Sequence, residues 1–414
     1  MITRRKAAQV FIAATTTAVV GGVATGSAFA ADKTVKIGID LSLTGADSQG
    51  AGRIKNGIMM AFDAANQGNA VPGYKFDVLV TDDGTATSGQ YDPAQAATNA
   101  RKMVADKEVV AAIGPQMSGA GKAMTPILSQ GGLATITPSS TNPDITDPKF
   151  AEQYRPAGKP IYFRTVTTDA YQGPNMANFL AEHAKIKSVY ILDDSGAFGV
   201  GVADSFQKQA EKKGIKIIGR DRLDPKAADY TAILTKIKSM APEAIYYGGV
   251  TQAGVKLAKQ SYEIIPNIIK AGPDGMVSSD LLSGAGFPAV DGWYTSIASP
   301  HLTEDNKAAQ FVQAFKGKYN DSPDDYTITA YDAALVIVDA VKRVVASGKP
   351  VTREAVRDAI QSAKVPTIQG TVSFDANGDL ADRTVSVFQI KKDTTKPLND
   401  VSAQYKYLQV APQS

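Results

Sequence analysis

The chain has 414 residues, of which 44 are Lys or Arg, 41 are Asp or Glu, two are His and none is Cys. The absence of cysteine excludes thiol catalysis, thiolate metal sites and disulfides, and the near-balance of charge gives no electrostatic case for binding nucleic acid or anionic lipid.

The chain opens with Arg4-Arg5-Lys6, an apolar run over 7–23 and then Ala28-Phe29-Ala30. This is the arrangement of an export signal, expected to be cleaved after Ala30. The first 30 residues hold three bases and no acid, so the remainder is formally neutral, with 41 of each. Its length suits two domains, each with its own core. No other apolar run approaches membrane-spanning length.

Residues 33–43 read as a strand, because Val35, Ile37, Ile39 and Leu41 alternate. A loop at 44–50 leads into a helix with Ile54, Ile58, Ala61, Phe62 and Ala65 on one face. A strand over 74–81 ends at Asp82-Asp83-Gly84, and a helix over 93–105 opens on Pro93, a residue suited to a first turn. Two apolar runs, 109–113 and 133–136, are joined by a helix around 123–129. Each run ends in a loop of small and hydroxyl residues, 114–121 and 137–144. As neighbouring parallel strands they bring both loops to the starts of helices, where hydroxyls and free N–H groups suit a small anion such as a carboxylate.

The pattern restarts after Tyr162-Phe163-Arg164-Thr165. Helices are expected at 172–184, 202–213, 230–240 and 251–262, with strands at 188–192, 216–219, 244–247 and 268–271. Two blocks of alternating strand and helix, roughly 32–165 and 168–296, read as two doubly wound α/β lobes. Residues 304–362 are expected to be mostly helical, with Ala309, Val312, Phe315 and Tyr319 on one face that needs a sheet to pack on. Farther on, Val372/Phe374 and Val385/Val387 alternate around Asp375-Ala376-Asn377-Gly378-Asp379, which predicts a hairpin.

A series of short motifs runs through these elements. In order they are Ile37-Gly38, Leu43-Thr44-Gly45, Gly57, Asp82-Asp83, Ile113-Gly114 and Ile136-Thr137-Pro138 to Thr141. Then come Arg164-Thr165 with Asp169 and Gln172-Gly173-Pro174, Phe198-Gly199-Val200-Gly201, Tyr246-Tyr247-Gly248-Gly249, Gly272-Pro273-Asp274-Gly275 and Gly370 to Phe374-Asp375. In this order and spacing the chain resembles the leucine/isoleucine/valine-type periplasmic binding proteins, the type I substrate-binding subunits of ABC importers. The resemblance implies two lobes joined by three crossovers, near Val166, Ala298 and Thr371, with the ligand cleft between them. Residues 31–165 with 299–370 would form the first lobe. Residues 166–298 with 371–414 would form the second lobe and the C-terminal crossover segment. It also implies a periplasmic monomer without cofactor or metal, capturing an amino acid of branched-chain type or a relative by hinge closure. Its partner would be a permease and ATPase complex.

Carried over position by position, Ser118 and Thr141 are implied as hydroxyl donors to the ligand carboxylate, with the main chain of Ser139 beside them. Asp274 falls where the family places an acid that pairs with the ligand ammonium. Phe198 and Tyr326 fall on aromatics that line the pocket, and Val250 stands where some members carry tyrosine. Gln49-Gly50 replaces an aromatic common in amino-acid binders, which enlarges the pocket or admits a more polar side chain. Aspartate in place of a longer glutamate draws the charge back by about one methylene, roughly 1.5 Å.

Plainer readings stand beside these. Ser118 and Thr141 suit helix caps, Asp274 suits a turn and Phe198 suits packing at the lobe surface. Tyr246 and Tyr247 read as structural, and Asp169 as a hinge or interlobe hydrogen-bonding residue. The two histidines, His183 and His301, stand far apart, and neither a Gly-x-Ser-x-Gly elbow nor a P-loop occurs. The turn at 375–379 lacks the glycine and closing glutamate of a calcium loop. Enzyme readings fare poorly, and an α/β hydrolase-like enzyme is the remotest rival. Rival ligands on the same fold are a short amide, a urea-like compound or an aromatic acid, and a rival role is that of a periplasmic sensor subunit.

Overall fold

The computed structural model describes residues 32–413, so the export signal expected over 1–30 lies outside the described residues. Five parallel strands form the first sheet, in the order Tyr74–Asp82, Lys33–Leu41, Val109–Ile113, Thr135–Thr137 and Tyr162–Arg164. The second sheet repeats that order with Lys216–Arg222, Ser188–Asp193, Ala244–Gly248, Ile269–Gly272 and Tyr294–Ile297, again all parallel. Two antiparallel strands, Ser386–Ile390 and Tyr405–Val410, extend it at the far edge. In both sheets the chain runs outward on either side of its first strand. The loops at the carboxyl ends therefore diverge there and leave a crevice.

The strands are apolar because both faces are covered by helices. Ile37, Ile39, Ile113 and Ile136 are fully buried in the first core. The helix Ser48–Gln67 buries Ile54, Ile58, Ala61 and Phe62 against them, the face its spacing predicts. The helix Asp325–Ala346 adds Ala333, Ile337 and Val341 to the same core, but the expected face of Ala309–Tyr319 does not reach it: Phe315 packs in a separate cluster with Leu302, Phe311 and Ile328, and Ala309 is exposed. The helices Ser48–Gln67 and Asp325–Ala346 approach closely at Gly57, where an added Cβ would stand 2.4 Å from the Thr327 carbonyl oxygen. No helix among the described residues is long and apolar enough to cross a membrane.

The chain passes between lobes side by side with itself. The Thr167 N–H donates to the Ala298 carbonyl at 2.9 Å, and the Ser386 hydroxyl donates to the Ser299 carbonyl at 2.8 Å. The third passage lies later than the expected Thr371. Val372 and Leu380 are buried in the first core, and the Phe374 ring sits 5.1 Å from that of Phe163. The expected hairpin is also redrawn. Gly370–Ser373 pairs back onto Lys364–Thr367, and the 375–379 turn is closed by a single bridge between Phe374 and Leu380. Val385 and Val387 instead join the second core, with Val387 opposite Ser296 in the antiparallel ladder. Alternation identified these strands, but the partner of each was set by the burial available in the two separate cores.

Candidate functional site

Between the lobes lies a cavity, over the carboxyl ends of both sheets. Asp47 and Gly50 come from the loop and helix start after Lys33–Leu41. Gln116, Met117 and Ser118 follow Val109–Ile113, and Ser139 follows Thr135–Thr137. The second lobe contributes Phe198, Val250 and the run Asp274, Gly275 and Val277 from the equivalent ends of its strands. Ile54, Asp324 and Tyr326 complete the lining from helices of the first lobe.

Six of the eight residues singled out from the sequence line this cavity: Ser118, Ser139, Phe198, Val250, Asp274 and Tyr326. Thr141 and Gln49 are not among its lining residues. Thr141 is fully buried beside Asp169, and its hydroxyl has no hydrogen-bond partner. Gln49 turns to the rim, where its amide donates across the lobes to Asp280 at 2.7 Å.

Ser118 opens the helix Ser118–Gln130, whose N-terminus has no side-chain cap and no acid in its first turn. Four backbone N–H groups at a helix start lack intrahelical partners, so this end is a ready place for an anion. The Ser118 hydroxyl caps nothing here. It accepts from the Asn142 N–H at 3.2 Å and from the Ser140 hydroxyl at 3.3 Å, tying the two loops together. The Ser139 hydroxyl donates to the Gln116 carbonyl at 3.0 Å. Beneath them lies Arg164, fully buried. Its guanidinium donates to the Ser140 carbonyl, to the Asn142 carbonyl at 2.8 Å, to the Thr146 hydroxyl at 3.0 Å and to Asp379 at 2.8 Å. One side chain thus holds the second loop in place, a function that the Arg164-Thr165 motif alone did not reveal.

Acids gather at another wall. Asp274 is buried, its Oδ2 accepts the Tyr326 hydroxyl from across the lobes, and its Oδ1 has no partner. The Asp274 N–H donates to Gln172 Oε1 at 3.0 Å, and Gln172 donates on to Asp169 Oδ1 at 2.9 Å. Asp169 Oδ2 and the Tyr246 hydroxyl are buried without partners. Burial pushes the Asp274 carboxyl up to about 6, against hydrogen bonds from Tyr326 and Gln172. Burial and the neighbouring charge of Asp274 push Asp169 up to about 8. Burial thus raises both carboxyls, Asp169 more than Asp274. The cavity lining holds three carboxylates, Asp47, Asp274 and Asp324, and no Lys, Arg or His. A buried negative charge without a cation is unfavourable until something positive arrives.

The lobes also meet around the rim. Asn142 donates to the Ala197 carbonyl at 2.9 Å, Gln252 to the Ser88 carbonyl at 2.8 Å, and Arg53 to the Ser279 hydroxyl at 3.1 Å. Reading by sequence named Gly50 only as a missing aromatic wall, and missed Asp47, Ile54, Gln116, Met117, Gly275, Val277 and Asp324. Most of them are neighbours of residues it did name, so the loop rather than the single position carried the signal.

Residues 34–395 match the family described as "Periplasmic binding protein". The leucine-, isoleucine-, valine-, threonine- and alanine-binding protein of Pseudomonas aeruginosa is 29% identical over 363 residues, covering 88% of this chain and 91% of its own. The Leu/Ile/Val-binding protein BraC3 of Rhizobium johnstonii is 28% identical, covering 86% and 91%. Among solved structures, the leucine-binding protein LivK of Thermotoga maritima superposes with a TM-score of 0.78 at 24% identity, over 91% of this chain and 98% of that one. A solute-binding protein of a Rhodopseudomonas palustris ABC transporter, solved with benzoate, gives 0.75 at 20% identity, over 92% and 97%. The two lobes, the cleft between them and a family match running nearly from end to end place this chain in the periplasmic binding protein family, on its type I fold.

Proposed function

We propose that the protein captures an amino acid in the periplasm and hands it to the permease and ATPase of an ABC importer. The observation that carries this reading is Asp274: a buried carboxylate with one oxygen unpartnered, in the same cavity as the uncapped helix start at Ser118. An α-amino acid supplies both complements, a carboxylate for the helix start and an ammonium for Asp274. Ser118 and the Ser139 main chain would receive the carboxylate, while Thr141 lies behind them against Asp169. Asp274, positioned by Tyr326 and Gln172, would receive the ammonium. Phe198 and Val250 would cover the ligand from the second lobe, and Gln49 would latch the rim.

The mechanism is binding, without chemistry. Opening the hinge would hydrate Asp274 and Asp169, and closing it around an ammonium compensates their burial. Because both lobes contact the ligand only when closed, the ligand selects the closed form. An aromatic acid, such as the benzoate of the Rhodopseudomonas neighbour, would suit the Ser118 end and leave Asp274 without a partner.

Calorimetric titration decides between them. The protein is unfolded and refolded to strip carried-over ligand, then titrated with the standard amino acids, their des-amino analogues and simple aromatic acids. Stoichiometric binding of an amino acid that vanishes for its des-amino analogue is expected. Binding only to acids or amides without an ammonium overturns the assignment of Asp274.

A further inference from the structure

The same cavity holds a second set of unmet acceptors that an ammonium at Asp274 does not use. Asp47 stands at the N-cap of the helix Ser48–Gln67, where an aspartate normally accepts from the first turn, yet its side chain accepts no such bond. Its Oδ2 is buried with no made hydrogen bond, relieved in part by the Thr251 hydroxyl, and Oε1 of Gln116 is buried and unpartnered. Both residues line the cavity. Gly50 leaves the space open: the nearest atom to an added Cβ is Gln116 Nε2 at 3.8 Å, so a glutamine amide occupies the side where an aromatic wall was missing.

No base serves these acceptors. Among the described residues the charges that act on Asp47 are those of the acids Asp280, Asp194 and Asp83. Burial holds its carboxyl up at about 7. Arg53, on the same helix, is engaged by Asp321 at 2.9 Å and by Ser279 at 3.1 Å. Asp324, the remaining acid of the lining, accepts from the Thr327 N–H at 2.8 Å and its hydroxyl at 2.7 Å. The apolar members of the lining, Ile54, Met117, Phe198, Val250 and Val277, suit an aliphatic stem.

We propose that the ligand is an amino acid whose side chain ends in a nitrogen donor, an ammonium, guanidinium or carboxamide, received by Asp47 and Gln116. This rests on the amino-acid reading above and narrows it away from the branched-chain residues. A leucine side chain would leave both acceptors buried and unmet. A terminal N–H would satisfy both, and sites built to hydrogen-bond a polar group discriminate strongly against analogues that lack it.

The test is calorimetry on the refolded protein with L-lysine, L-arginine and L-glutamine against L-leucine, L-isoleucine and L-valine. At least one donor-ended amino acid is expected to bind about tenfold or more tightly than any branched one. Asp47→Asn and Gln116→Leu, both close in shape to the originals, should each erode that preference by about tenfold while leaving the requirement for the α-ammonium intact. Branched residues binding as tightly as donor-ended ones, or a preference unmoved in both variants, overturns this proposal and spares the amino-acid reading. Binding confined to ligands without an α-ammonium overturns both.

Discussion

Replacing Asp274 by asparagine separates two effects that the buried carboxylate combines. In the closed cleft this carboxyl ionises near pH 6 rather than at 3.8, so holding it charged at neutral pH is unfavourable by about 3 kcal/mol. The amide keeps the shape and can still accept the Tyr326 hydroxyl, but carries no charge. Without ligand, the variant should therefore close more readily than the wild type, seen as a smaller radius of gyration in small-angle scattering. With ligand, a hydrogen bond to a charged acceptor, worth roughly 1.5–3 kcal/mol, becomes an ordinary one. The dissociation constant should rise about tenfold to a hundredfold in calorimetry. The pH dependence has a definite sign. In the wild type, Asp274 takes up a proton as pH falls through about 6, so affinity for an ammonium ligand is full above that pH and declines below it. The variant should lack this decline. Equal affinities for variant and wild type near neutral pH, with no fall in wild-type affinity on acidification, would refute the role given to this residue.

Other substitutions test the supports of the site. Arg164→Met leaves the Ser140 and Asn142 carbonyls without their guanidinium donor and Asp379 without its ion pair, which should lower unfolding free energy by about 3–5 kcal/mol in a denaturant titration and weaken ligand binding through the 138–142 loop. An unchanged denaturation midpoint would show the buried guanidinium to be dispensable. Gly57→Val places carbon within 2.4 Å of the Thr327 carbonyl and forces two core helices apart, so its melting temperature should drop in line with a loss of about 1–3 kcal/mol or more. A full-height melting temperature would mean that the helices can part freely. Arg53→Met removes the interlobe bond to Ser279 and the pair with Asp321; stopped-flow release of ligand should speed up by about fivefold to tenfold with the association rate little changed. A slower association instead would place Arg53 in capture rather than in retention.

Much of the fold was legible because its signals are local. The helix Pro93–Ala105 and the strand Val109–Ile113 fall where composition puts them, since Pro93 marks a first turn and five apolar residues in a row mark a buried parallel strand. What stayed hidden is non-local or polar. The strand Tyr294–Ile297 buries Thr295 and Ser296, so it lacks the apolar run that announced its neighbours. Residues 371–390 showed the right alternation but not which strand pairs with which. That choice was made by two cores competing for Val372 and Val387, and no window of sequence contains both cores.

The site divides along the same line. Ser118 and Ser139 stand at strand ends, where a doubly wound sheet must open its crevice, so topology pointed at their loops, whereas Asp274 was named only through the resemblance. Asp47 and Gln116 gave no such sign: in the sequence, an aspartate before a helix reads as a cap, and a glutamine after a glycine-proline turn reads as loop surface. Only the geometry shows the cap bond unmade and the amide oxygen buried. An acceptor left without a donor inside the closed cleft is unfavourable by about 1–3 kcal/mol. On the proposed reading the ligand that compensates this brings a donor to it, and the polarity of the pocket, rather than the identity of the family, is then what separates one amino acid from another.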